Sequence, residues 1–236
     1  MSRIIAAARL HLLLKNNVIT MTLIVLPIAY AVQLGILTWL QVQGEEMSGE
    51  ITVGGVYGAV IGALAVSAAM AGAYGVPHAL SLSYSRRVTL AGIVLVFLAS
   101  ALTAGLLVAA VIGLEELTDT FGTGQSMLAI SYFMEPAGVF GLGLVLIAAT
   151  MFSMMNGLLV PMLYRLLGMV RTLIVYGLFG LALLVTGAGL TVYGGWGAVG
   201  QWLVDQNALT WTVWLTLGTL VVTGANWLTI RRLPAA

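Results

Sequence analysis

The 236 residues include no cysteine, so the chain has no disulfide and no thiolate metal site. Lysine is almost as scarce: Lys15 stands alone and is followed by Asn16 and Asn17. A phosphate-binding loop needs a glycine-rich turn ending in Lys-Ser or Lys-Thr, so the chain is not expected to bind ATP in that way. His11 and His78 are the only histidines, far apart, and no His-Glu-x-x-His pair offers a zinc site. A Gly-x-Ser-x-Gly elbow is missing too, which removes the common serine-hydrolase arrangement. The expectation is a chain that is not an enzyme, with no catalytic residue and no metal of its own. Charge is thin as well, at 7% of residues against about 25% in soluble domains.

What fills the sequence instead is apolar, at 61%. Six runs stand out, over about 18–41, 52–74, 89–114, 136–160, 172–194 and 209–230. At about 1.5 Å per residue, each can cross about 30 Å of hydrocarbon. They are predicted to be helices, because lipid offers backbone N–H and C=O groups no partner. The loops between them are too short for a soluble domain. The predicted fold is therefore all-α, a polytopic membrane protein forming a single transmembrane domain over 1–236. The net charge of +1 gives no reason to expect a nucleic-acid partner.

Charge sign tests this division independently. Arg3, Arg9 and Lys15 precede the first run, and Glu45, Glu46 and Glu50 follow it. Arg86 and Arg87 come next, then Glu115, Glu116, Asp119 and Glu135, then Arg165 and Arg171, then Asp205, and finally Arg231 and Arg232. The sign alternates at every crossing. Basic loops stay in the cytoplasm, so both termini are expected there, and short loops suit a bacterial inner membrane.

At the N-terminus, a basic stretch, an apolar core and Ala29-Tyr30-Ala31 resemble a signal peptide with its cleavage site. The apolar run continues to Leu40, however, so it is expected to stay as the first span. Residues 1–17 mix Leu and Ile with Arg and suit a helix along the membrane surface, although Ile4 falls among the basic positions. Residues 195–208, with Trp196 and Trp202, suit a short re-entrant or interfacial element or a mobile loop.

The span interiors carry no charge, and the acids gather at outer span ends, Glu115, Glu116 and Glu135 nearest. Ion-coupled transporters generally keep an ionisable group within the membrane, so energy for uphill movement is expected from another subunit. Gln33, Asn156 and Asn226 are the larger polar residues inside spans. Asn156 suits either an interhelical hydrogen bond or, with Met151, Ser153, Met154 and Met155, a translocation path. Gly54, Gly55, Gly58 and Gly62, and likewise Gly177 and Gly180, have the spacing of closely approaching helices, within one chain or across a dimer.

The link after the second run reads Gly-Val-Pro-His-Ala-Leu-Ser-Leu-Ser-Tyr-Ser-Arg-Arg over 75–87. Pro77 disfavours helical geometry at the preceding residue, so a break is predicted there. With Ala79-Leu80-Ser81-Leu82 and Ser85-Arg86-Arg87, this link resembles the permease subunits of type 2 ABC exporters, whose links often read Ala-Leu-x-Leu-Gly-x-Ser-Arg-Arg. Ser83 departs from the pattern, in the place where glycine is common. As architecture the resemblance covers the whole chain: six spans, an amphipathic N-terminal helix and a re-entrant element before the last span. It implies that the link couples to an ATP-binding-cassette subunit, with His78, Ser81, Tyr84, Ser85, Arg86 and Arg87 as candidate contacts and 161–171 as a smaller one. ATP and Mg would be bound by that partner subunit. A second permease, identical or paralogous, is implied as well. The implied function is ATP-driven export, and uncharged, Met-rich spans suit a drug, lipid or antimicrobial peptide as cargo. The alternative is the six-helix substrate-binding component of a vitamin importer, which would need a polar ligand pocket. A membrane scaffold without transport is a third reading.

Overall fold

The computed structural model describes residues 2–13, 18–43, 54–122 and 127–233. Lys15, Glu45, Glu46 and Glu50 lie outside the described residues. The protein is an all-α polytopic membrane protein, with six helices among the described residues long and apolar enough to cross a membrane. In chain order the helices are α1 (Ser2–Leu13), α2 (Val18–Val42), α3 (Gly54–Met70), α4 (Val76–Ser81), α5 (Arg86–Gly122), α6 (Ser131–Met134), α7 (Gly138–Leu167), α8 (Met169–Val192), α9 (Trp196–Val204) and α10 (Ala208–Arg232).

α7 is the hub, packing on α3, α5 and α10, while α2 covers α3 and α5. The core holds Phe97, Ile93 and Ile112 of α5, Leu64 of α3, and Met154, Met155, Leu158 and Met162 of α7. Small residues decide how closely these helices approach. A Cβ added to Gly157 would sit 2.2 Å from the Ala65 carbonyl oxygen of α3, and one on Gly72 would meet Leu158 O at 2.9 Å and Pro161 at 2.8 Å. Gly92 on α5 similarly admits the backbone of α1, since a Cβ there would lie 3.0 Å from Ala8 N. Gly58, Gly62, Gly177 and Gly180 instead face open space. Within the chain, close approach falls on Gly157, Gly72 and Gly92 rather than on these four.

The predicted break before Pro77 is not a break. The helix runs on through a π turn over Ala71–Gly75, and Val76 N–H donates to Ala71 O, so the chain crosses continuously from Gly55 to Ser81. Proline has no N–H, which leaves the carbonyl four residues earlier without its helical partner. That carbonyl is Ala73 O, and Arg165 Nη2 donates to it at 2.7 Å. A wide turn and a borrowed donor accommodate the proline together.

α1 packs along α5 through fully buried Ala7, leaving Arg3 and Arg9 exposed. Ile4, the residue that interrupts the apolar stripe, lines a groove against α5. The segment near 195–208 is helical: α9 has nine residues, about 14 Å at 1.5 Å each and too short to span. Trp202 packs edge-on against Trp211 and Trp214 of α10, and Asn207 begins α10 with a capping box to Thr210. α8 differs from every other span. Only Thr172 is buried along it, and α7 is its main neighbour.

Candidate functional site

The link between α4 and α5 shrinks to the residues 82–85. Leu82 N–H returns to His78 O at 3.2 Å and Tyr84 N–H to Ala79 O at 3.2 Å, closing α4 onto the turn. Ser83 holds φ 61°, in the left-handed region where a side chain is strained and glycine is not. Ser85 receives Val88 N–H on its hydroxyl at 3.4 Å while its carbonyl accepts Thr89 N–H at 2.9 Å, which starts α5. His78, Ser81, Leu82, Ser83 and Ser85 are exposed, and Ser81 Oγ donates to His78 O at 2.8 Å. Tyr84 is half-buried. Beside the turn, a cleft of about 470 Å³ is lined by Arg3 and Ala6 of α1 and by Leu82, Ser83, Tyr84, Ser85 and Val88.

Arg86 does not point outward with the rest of the turn. Its guanidinium donates to Arg231 O and, at 2.7 Å, to Leu233 O. These are carbonyls at the C-terminal end of α10, where a cation also suits the helix dipole. Arg87 is exposed and lies over the Trp227 ring at 5.9 Å from its centroid, as does Arg231. The six link residues expected to act together therefore divide. His78, Ser81 and Ser85 form one exposed patch with the turn, Tyr84 lines the cleft, and the two arginines are directed at α10.

The five residues expected along a translocation path also divide. Met151, Met154 and Met155 share one face of α7, and Ser153 and Asn156 fall on the other. Met154 and Met155 are fully buried in the core, while Met151, Ser153 and Asn156 are half-buried. Asn156 Nδ2 donates to Phe152 O of its own helix at 2.8 Å. The interhelical bond comes from Asn226 of α10, whose Nδ2 donates to Met155 O at 2.9 Å while its buried Oδ1 has no partner. Gln33 lines an apolar groove of about 470 Å³ between α2 and α3.

A polar cluster that the span boundaries had hidden sits at the acidic end. α5 runs past residue 114, and Glu115 is buried within it. The Glu115 carboxylate accepts the Tyr30 hydroxyl at 2.9 Å, Met127 N–H at 3.2 Å and Leu128 N–H at 3.3 Å. The Tyr57 hydroxyl donates to Leu128 O. One carboxylate thus ties α2, α5 and the segment after α5 together, with Tyr57 adding α3. The signal was available in the spacing: Ile93, Phe97, Ala101, Ala104, Val108 and Ile112 are buried at intervals of three or four, and Glu115 is the next position in that series. Glu116 falls outside the series and is exposed.

No family model, curated protein or solved structure matches this chain. The site's meaning therefore rests on its own geometry.

Proposed function

We propose that the protein is the permease subunit of an ATP-driven exporter, and that the turn between α4 and α5 is where a separate ATP-binding-cassette subunit docks. The observation that carries this reading is the turn itself. Two helices meet in a tight, exposed connection beside a polar cleft, at the end of the bundle that carries the arginines. Ser83 adds support: the exporters that the link resembles commonly have glycine at this place, and the backbone here adopts the conformation glycine favours.

Docking on this reading is made by His78, Ser81, Leu82 and Ser85, with Tyr84 in the cleft wall. Arg86 serves by holding the turn against α10, so motion of the turn is passed to the last span. Coupling requires that nucleotide binding favour one permease conformation over another through differential interaction energy. A second permease, identical or paralogous, completes the pathway, and α8 is the span left for it to cover. With basic ends in the cytoplasm, both termini are cytoplasmic, in a bacterial inner membrane. Cargo is apolar or amphipathic, because charged side chains are confined to the span ends.

The test is a tagged pull-down from the native membrane in mild detergent, with mass spectrometry of the co-purifying proteins. An ATP-binding-cassette subunit at one copy per permease is expected, and Ser81→Arg with Ser85→Glu should remove it while leaving membrane insertion intact. Recovery of the chain alone, or with a tightly bound vitamin, would overturn the exporter reading.

A further inference from the structure

At the basic end of the bundle, α1, α5 and α10 leave a groove of about 690 Å³ lined by Ile4, Leu90, Ala91, Val94, Leu95, Arg87 and Trp227. Its wall and its rim differ in chemistry. The wall is aliphatic and belongs to the stretch of α5 that crosses the membrane. From Arg87 to Leu95 it extends about 12 Å along the helix axis, most of the depth of one leaflet's hydrocarbon. The rim carries two guanidinium groups, those of Arg87 and Arg231, both within 5.9 Å of the Trp227 ring centroid. Both arginines are exposed, and among the described residues neither has a carboxylate partner. The described acidic residues lie toward the other end of the spans: Glu115, Glu116 and Asp119 in the last turns of α5, Glu135 shortly before α7 and Asp205 shortly before α10. Arg86 fixes the spacing of the rim, since its bonds to Arg231 O and Leu233 O hold the end of α10 beside the start of α5.

We propose that this groove binds an anionic diacyl phospholipid of the surrounding leaflet, its phosphate between Arg87 and Arg231 and one acyl chain along Leu90, Ala91, Val94 and Leu95. Charge complementarity selects the occupant. Two cations without a carboxylate partner among the described residues, set over an aliphatic wall, match a molecule that joins a phosphate to a hydrocarbon chain. A free phosphate would leave the wall unused, and an uncharged lipid would leave the cations unused. Trp227 suits the boundary between the two, where an indole places its ring in the headgroup layer. Basic pockets between spanning helices recognise anionic headgroups in this way. The assignment stands whether or not an ATPase docks on the neighbouring turn.

The experiment is native mass spectrometry of the purified full chain, titrated in detergent with phosphatidylglycerol and, separately, phosphatidylcholine of the same acyl composition. Each surface arginine strengthens anionic-lipid association by about fivefold, so the wild type, with two, should favour phosphatidylglycerol by about twenty-five-fold. Arg87→Ala with Arg231→Ala should remove that preference. Arg87→Lys with Arg231→Lys should keep most of it, which separates lost charge from lost fold. Arg171→Ala, outside the groove, should leave it intact. Ala91→Trp, which fills the wall, should weaken binding of phosphatidylglycerol while both arginines remain. Equal binding of the two lipids by the wild type would overturn the proposal. So would an unchanged preference in the double alanine variant, or undiminished binding by Ala91→Trp.

Discussion

Gly157→Ala is the sharpest test of how this bundle is held together. The added Cβ would lie 2.2 Å from Ala65 O, 3.0 Å from Ala65 C and 3.2 Å from Ala65 Cα. All three are backbone atoms of α3, so no side chain can swing aside, and the helices must separate by about 1 Å to restore contact distance. A gap of that size forfeits about a quarter to a half of the dispersion energy at each atom pair it opens. The affected interface includes Leu64 and Leu158, both almost fully buried. Overpacking of this kind costs about 1–3 kcal/mol. Alanine returns about 1 kcal/mol in helix propensity, so the net loss should be about 2 kcal/mol when the clash sits at the upper end. Gly62→Ala on α3 is the internal control, because nothing lies within 4 Å of its added Cβ. It should be neutral or stabilising by up to about 1 kcal/mol. Both variants gain the same helix propensity, so they differ by the clash alone, about 1–3 kcal/mol. Reversible unfolding in mixed micelles of dodecyl maltoside and SDS, followed by far-UV circular dichroism, measures both. If Gly157→Ala unfolds at the same SDS fraction as Gly62→Ala, the close α3–α7 crossing is wrong.

Ser83→Gly should stabilise the protein by about 0.5–1 kcal/mol in the same assay, the strain of a left-handed side chain less the added freedom of glycine. A destabilised variant would mean that Ser83 does not hold φ 61°. Glu115→Ala removes the acceptor of one hydroxyl and two backbone N–H groups and should cost about 2–4 kcal/mol. Hydrogen exchange at Met127 and Leu128 should quicken, and unchanged protection there would refute the anchor. Arg165→Ala leaves Ala73 O without its donor, and since Arg165 is exposed, water limits the loss to about 1 kcal/mol. Faster exchange along 71–76 is the readout, and a change confined to α7 would argue against the contact. Arg86→Glu should fray the last turn of α10, whereas Arg87→Glu should not, as measured by exchange at 229–233.

The six spans were legible because bilayer thickness imposes a minimum apolar length, and because charge sign changes at each crossing. The ends were less legible. Residue 114 looked like the end of the third span because Glu115 and Glu116 follow it, yet α5 continues to Gly122 with Glu115 turned inward. Apolarity alone cannot separate a carboxylate that ends a helix from one that anchors another segment. Periodicity can, since Glu115 continues the buried series and Glu116 does not. Pro77 predicted a break from a local steric rule, and the donor that rescues its turn, Arg165, bonds a carbonyl 92 positions away, beyond any local rule. The glycines of α3 and α8 have the right spacing for close approach, but spacing does not say which face meets a neighbour. At the link, residue types marked the segment correctly as polar and basic between two spans. They did not reveal that the arginines turn toward α10 while His78, Ser81 and Ser85 stay on the exposed surface.

The π turn over Ala71–Gly75 has a consequence for the angular phase of everything that follows it. A π turn holds one residue more than the α-helical count, and each residue rotates a helix by about 100°. Because the extra residue is spread over one widened turn, deleting one residue from 71–75 would let the turn relax to α geometry with α4 keeping nearly its present heading. Deleting a residue from the α-helical part of α3 instead would rotate His78 and Ser81 by about 100°, off the face they now occupy. The heading of the link is thus buffered by the widened turn, which takes up one residue inside the membrane, and the bond from Arg165 to Ala73 lies within that turn.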